Sequence, residues 1–209
     1  MTAWIRRIVA SLVATATVAA VALLGSGGPA GADRPIATAR LRLADGDAIG
    51  RVRFYDRGSS TKVSVRIDFP QGVTTLQDFH GFHVHANDNP ANGEGCQADP
   101  AAAPSTWFVS ADGHFKAPGE THGAHKGDLQ TLYLLANGKA SATFYVDRFE
   151  PQELDGRAVV FHAGRDNYGN IPVGTAAEEY TPNSPAAVTR TADTGNAGNR
   201  VACGLLEVG

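Results

Sequence analysis

Methionine is all but missing from this chain: of 209 residues, the single Met is the first. A methionine-rich soft copper site is thereby excluded. Cysteine is nearly as scarce, with Cys96 and Cys203 alone. Neither lies near the N-terminus, which excludes a lipid anchor on a terminal cysteine. Basic excess is missing too: 18 Lys and Arg stand against 21 Asp and Glu. That balance does not suit a nucleic-acid binder. No stretch carries a convincing helical period, and there is no internal repeat or second domain.

What is present begins with a leader. Arg6 and Arg7 form a short basic region, and Ile8 to Leu24 is apolar and alanine-rich. Small residues follow, ending in Ala30-Gly31-Ala32, the pattern of a signal-peptidase site. Residues 1–32 read as a signal peptide and residues 33–209 as one mature domain. A transmembrane anchor is the competing reading, but the run is short for a span and a cleavage site follows it. The expected location is exported: periplasmic, cell-envelope or extracellular, with no membrane span after signal removal. Losing Arg6 and Arg7 and no acid would move the formal charge from −3 to −5. In an oxidising compartment a single cysteine pair is most simply a disulfide. Closing a loop of roughly 100 residues would contribute about 4–5 kcal/mol in the chain-entropy picture.

The mature chain alternates with period two. Ala39, Leu41 and Leu43 oppose Arg40 and Arg42; Val52 and Phe54 oppose Arg51 and Arg53; Val63, Val65 and Ile67 oppose Ser64 and Arg66. Such a pattern predicts antiparallel strands with one wet face. Asn87 to Ser105 and Asp112 to Asp128 read as irregular loops, and residues 163–199 as the longest irregular region. Asn137-Gly138 predicts a hairpin between Leu129–Leu135 and Ala140–Val146. Further strands are expected at Ala158–His162 and Arg200–Val208. The sum is about eight strands and no helix: an all-β, antiparallel sandwich or barrel.

Seven histidines are present. In Gly81-Phe82-His83-Val84-His85, period two puts both imidazoles on one face of a strand and Phe82 and Val84 on the other. Two neutral imidazoles on a rigid strand form half of a metal site. A plain surface or core histidine pair would show the same local pattern.

Five motifs in order lift the ambiguity: Gly81 to His85, Gly113-His114-Phe115, His125-Lys126-Gly127-Asp128-Leu129, Val160-Phe161-His162-Ala163, and Gly195-Asn196-Ala197-Gly198-Asn199-Arg200-Val201-Ala202-Cys203-Gly204. With them the chain resembles copper/zinc superoxide dismutase, in its bacterial exported branch, from about Ala37 to the end. The resemblance implies an eight-stranded Greek-key β-sandwich or barrel with long metal-binding and electrostatic loops. It implies copper held by His83, His85, His114 and His162, and zinc held by His114, His122, His125 and Asp128. His114 would bridge the two ions and take up a proton in the cycle. Asp166 would hydrogen-bond histidines of both sites, Arg200 would attract the anion, Cys96 would pair with Cys203, and His80 would belong to the framework.

The implied activity is dismutation of superoxide to molecular oxygen and hydrogen peroxide by one-electron cycling of a histidine-bound copper, with zinc as structural partner. A homodimer is compatible with the resemblance. Two departures stand out: a longer stretch between Cys96 and His114 than in the eukaryotic enzymes, and only two residues between His122 and His125. The alternatives are a copper-only dismutase with an empty zinc position and a non-enzymatic exported copper-binding protein. Arg200 and the bridging histidine discriminate, since a carrier needs neither.

Overall fold

The computed structural model describes residues 34–70, 76, 78–168 and 184–209. The expected leader and its cleavage site lie outside the described residues, as does part of the irregular region expected at 163–199. Among the described residues no helix is long and apolar enough to cross a membrane.

Alternation becomes strand where it was expected. β1 (Ala37–Arg42), β2 (Ala48–Asp56) and β3 (Thr61–Asp68) turn Leu41, Val52, Phe54, Val63, Val65 and Ile67 into a common core. Their arginines face outward. β4 (Asp78–His80) and β5 (Phe82–His85) follow, then β6 (Leu132–Leu134), β7 (Lys139–Val146), β8 (Ala158–His162) and β9 (Arg200–Val208). Phe82, Val84, Val159, Phe161, Ala202 and Leu206 complete the same core. Each large apolar side chain in it contributes about 1.5–3 kcal/mol on burial.

Seven strands form one antiparallel sheet in the order β5-β8-β9-β1-β2-β3-β7, and β4 pairs with β6. The small pair closes the large sheet. β4 and β5 are one run interrupted at Gly81, and its free edge is met by the segment leading into β6: Val84 N donates to Gly127 O at 2.8 Å and Leu129 N to Phe82 O at 3.3 Å. Counted this way, the nine segments are the eight strands of a barrel. The β3–β4 and β7–β8 connections join strands that are not neighbours, as in a Greek key.

Two expectations need correction. The Asn137-Gly138 turn is there, with Leu135 N bonded to Lys139 O at 2.9 Å, but its arms part at once. β6 starts at Leu132, not Leu129, and pairs with β4, while β7 pairs with β3. A turn dipeptide fixes chain reversal; the partners are chosen by barrel closure. The second correction is a helix, α1 (Pro185–Thr194), in a region read as irregular. Ser184 caps its N-terminus by accepting from Ala187 N, Pro185 opens it, and Gly195 ends it in the left-handed conformation at φ +61°. Ala- and Thr-rich, with only Ala187 and Thr191 buried, it shows little apolar periodicity.

β8 is buried on both faces. Val159 and Phe161 enter the core, whereas Ala158 and Val160 point outward into a second apolar cluster with Phe108, Ala111 and Cys203. That outer cluster is roofed by the loop after β5. Cys96 in this loop is disulfide-bonded to Cys203 on β9, with Cα atoms 5.5 Å apart.

Candidate metal centre

The outer faces of β5 and β8 carry the site. These strands pair Phe82 with Phe161 and His83 with Val160, so the register that sends the phenylalanines inward leaves His83 and His85 outside the barrel wall. His162 ends β8, and a register shift there sets it opposite Arg200 on β9. His114 comes in on the loop strand, bridged to His85. His83, His85, His114 and His162 are all buried, and one ring nitrogen of each falls within 4.8 Å of the others.

Backbone and carboxylate partners decide which nitrogens remain for an ion. His85 Nδ1 is bonded to Asp112 O at 2.8 Å and His162 Nδ1 to Gly198 O at 3.2 Å; their Nε2 atoms meet at 3.3 Å. His83 Nε2 is held by Asp166, 2.9 Å from Oδ1, leaving its Nδ1 without a partner. His114 turns Nδ1 to Asp128 Oδ1 at 3.0 Å and leaves Nε2 unpaired. Burial, helped by the neighbouring histidines and opposed by Asp128, pulls His114 down to about 3. Burial likewise holds His85 and His162 well below the ordinary imidazole value. Neutral rings with bare nitrogens are the form a metal requires.

A second cluster is built around Asp128. Its Oδ2 accepts from Gly123 N at 2.6 Å and His125 N at 3.0 Å, curling the loop back on itself. Its Oδ1 faces His114 Nδ1 at 3.0 Å, His122 Nδ1 at 3.1 Å and His125 Nδ1 at 3.4 Å. His125 Nδ1 lies 3.2 Å from His114 Nδ1. Zinc–ligand bonds of about 2.0–2.1 Å place the corners of a tetrahedron about 3.3–3.4 Å apart. Asp128 Oδ1 stands near that distance from all three imidazoles, and so does His125 Nδ1 from His114 Nδ1. His83, His114, His122 and Asp128 have donor atoms that all lie within 4.8 Å of one another, a set that holds His83 in place of His125, and His83 Nε2 is engaged by Asp166. Burial works against charge on His122, yet the hydrogen-bonding carboxylates of Asp128 and Asp166 prevail and lift it to about 9. Burial also opposes ionisation of Asp128 and Asp166, and their histidine partners overcome it, holding both carboxyls well below the usual range.

Asp166 joins the clusters. Its Oδ1 is 2.9 Å from His83 Nε2 and 3.4 Å from His122 Nε2. Gly81 makes room for it: a Cβ there would stand 2.9 Å from Asp166 Oδ1 and 2.7 Å from Ala197 Cβ. Gly195 does the same for His122, whose Nε2 would meet a Cβ at 2.3 Å. His80 is not a ligand, since both ring nitrogens are taken by carbonyls, Nδ1 by His162 O at 2.8 Å and Nε2 by Leu76 O at 2.5 Å. Arg200 is half-buried at the rim, and its guanidinium donates to the carbonyls of Phe108 and Asp112.

Of the residues named from sequence, His83, His85, His114, His162, His122 and Asp128 converge in two clusters; His125 joins through His114 and Asp128, and Asp166 through His83 and His122. Missed were the Asp112 carbonyl, the space provided by Gly195, and Tyr168, which stacks on His122 at 5.2 Å and donates to Asp166 Oδ2 at 3.1 Å. Only Asp112-Gly113, a turn dipeptide, carried any signal. The buried nitrogens His83 Nδ1 and His114 Nε2, which have no protein partner, are a cost unless an ion satisfies them, and an all-imidazole set beside a histidine–carboxylate set suits copper beside zinc.

Comparison with known proteins agrees. The family described as copper/zinc superoxide dismutase (SODC) matches residues 48–206. The "Superoxide dismutase [Cu-Zn]" of Mycolicibacterium paratuberculosis is 34% identical over 191 residues, covering 88% of this chain and 80% of that one. Its namesake in Mycobacterium tuberculosis is 32% identical, covering 82% and 70%. The "Extracellular superoxide dismutase [Cu-Zn]" of Brugia pahangi is 31% identical, covering 82% and 76%. Among solved structures, the clock protein EA4 shares the fold, with a TM-score of 0.55 at 23% identity over 83% of this chain and 95% of that one.

Proposed function

The chain belongs to the copper/zinc superoxide dismutase family, and from that premise we propose how its own side chains divide the work. The reaction is the dismutation of two superoxide anions to molecular oxygen and hydrogen peroxide, with copper and zinc as cofactors. Bound copper supplies one-electron redox chemistry, and bound zinc a fixed positive charge without redox change.

In this reading copper would be held by His83, His85, His114 and His162. Zinc would be held by His114, His122, His125 and Asp128. The supporting observation is the division of hydrogen bonds: in His83, His85 and His162 the nitrogen turned away from the cluster is tied to a carbonyl or carboxylate. His114 has one nitrogen toward each cluster, and its Nε2 is the atom that carries a proton to the reduced oxygen. Asp166 orients His83 and His122. Arg200, fixed by two carbonyls, presents positive charge to the arriving anion in a protein of net negative charge.

Export, with removal of residues 1–32 as in the bacterial exported branch, belongs to the same reading. The Cys96–Cys203 disulfide and extracellular relatives support it. The test is superoxide decay on protein loaded with both metals, with metal analysis and intact mass of the same exported sample. One copper, one zinc, a start at Asp33 and fast decay are expected. Full activity with copper but no zinc, even after zinc is offered, would overturn the zinc assignment.

A further inference from the structure

Tyr168 is a large aromatic residue left 57% exposed, yet it reaches into the metal centre. Its ring lies flat on His122, with centroids 5.2 Å and planes 12° apart. Its hydroxyl donates to Asp166 Oδ2 at 3.1 Å. The same ring runs along Gly123, where a Cβ would stand 3.4 Å from Tyr168 Cδ1. The His122 side chain itself is 0% exposed. One face of that imidazole is therefore covered by a ring that meets solvent on its other side.

His122 needs such a cover more than the histidines of the copper cluster do. His83, His85 and His162 stand on β5 and β8, where the barrel fixes their backbone. His122 stands on a loop between Gly119 and Gly123, both at positive φ, +84° and +92°. Asp128 and Asp166 approach its two nitrogens at 3.1 and 3.4 Å. Contacts at ring nitrogens act in the plane of the ring and leave its tilt open. The rings of His83, His114 and His125 meet His122 edge-on, at 82°, 69° and 71°. Among the described residues Tyr168 alone lies parallel to it. A stacked aromatic ring resists tilting, and a ligand whose rotamer is already locked has less freedom to lose on binding. We propose that Tyr168 is a positioning residue for zinc: its ring holds the plane of His122, its hydroxyl holds Asp166, and together they set how long the ion stays bound. The inference rests on the assignment of His122 to zinc. A hollow of about 280 Å³ alongside, lined by Gly123, Asp128, Tyr145, Arg148 and Tyr168 among others, brings water to this side of the site. Of its two tyrosines, only Tyr168 stacks on a histidine.

The copper- and zinc-loaded protein tests this through release of zinc to an excess of a chromogenic chelator. Tyr168→Ala should speed release by about tenfold or more, the scale on which partners of metal ligands act. Tyr168→Phe keeps the ring and loses the hydroxyl, and should fall between, nearer the parent. Tyr145→Ala enlarges the same hollow without uncovering His122 and should release zinc at the parental rate. Copper release should change less than zinc release in every variant, because the ring lies on a zinc-side histidine. With cobalt(II) in the zinc position, the visible ligand-field bands, which follow geometry, should shift in Tyr168→Ala and stay near the parental ones in Tyr168→Phe. A parental zinc lifetime in Tyr168→Ala overturns the proposal. So does release from Tyr168→Phe as fast as from Tyr168→Ala, since the stack would then count for nothing. Equal acceleration by Tyr145→Ala would reduce the effect to solvent access, and equal loss of copper and zinc would mean general loosening; either overturns it. A parent that takes up no zinc overturns the zinc assignment and this inference with it, whereas a zinc-holding parent beside unchanged variants overturns this inference alone.

Discussion

Arg200 and His85 hang from one atom, the carbonyl oxygen of Asp112: His85 Nδ1 lies 2.8 Å from it, and the Arg200 guanidinium donates to it as well. The charge proposed to meet the anion and a ring proposed to hold copper thus share a support. Asp112 is held at φ +63°, with its carboxylate accepting from Asp88 N and Asn89 N at 2.8 Å each.

Reversing the charge at the rim should slow the reaction without unloading the site. Arg200→Glu is expected to lower the superoxide rate by about tenfold or more and to abolish the fall of rate with added salt. Copper content should be unchanged, because no imidazole is lost. A variant with parental rate and parental salt dependence would remove Arg200 from its assigned role.

Asp128 should decide zinc. Asp128→Ala removes the oxygen facing three imidazoles and also the one that curls the loop. Zinc is expected to be lost on dialysis while copper stays, since His83, His85 and His162 lie outside that loop. Metal analysis after chelator challenge reads it. Equal retention of zinc in parent and variant would be incompatible with the assignment.

Asp166→Asn tests the link between clusters. Removing such a partner typically costs about 10–100-fold in metal affinity. The loss should be larger for zinc, because His122 depends on Asp166 at one nitrogen and Asp128 at the other. Competition with a zinc chelator of known affinity measures it; an unchanged zinc constant would leave Asp166 a bystander.

For the metal-free protein, stability should peak near pH 6.5. His114 falls from 6.5 to about 3 in the fold, and His85 and His162 fall well below 6.5. A histidine depressed in this way contributes fully above its unfolded value, and the contribution is lost as pH drops toward the folded one. Asp128 and Asp166, depressed from 3.8, add a loss at still lower pH. His122 runs the other way: raised from 6.5 to about 9, it contributes fully below 6.5 and loses that as pH rises through 9. Three histidines act on the acid side and one on the basic side, so the acid limb should be steeper. Urea midpoints across that range give the curve; a steeper basic limb would contradict it.

Much of this was legible from residue order. Alternation of Val63, Val65 and Ile67 with polar neighbours sufficed for β3, because one face is wet. That His83 and His85 share one face was legible because a strand's period is two. α1 was less so: its caps, Ser184, Pro185 and Gly195, were in plain view, but a helix that buries Ala187 and Thr191 has no apolar stripe to announce it. Barrel closure was not legible either, because the partner of β6 depends on the edge left free by β5 and not on the turn at Gly138. Asp166 carries no spacing rule of its own; its link to His83 and His122 is made by tertiary approach around Gly81 and Gly195.

β5 works as a partition wall. Phe82 and Val84 belong to the core, while His83 and His85 belong to the site, and no apolar core residue of the barrel donates a metal-binding atom. The side chains that hold the barrel together and those that would hold the ions are therefore separate sets, inside and outside one wall.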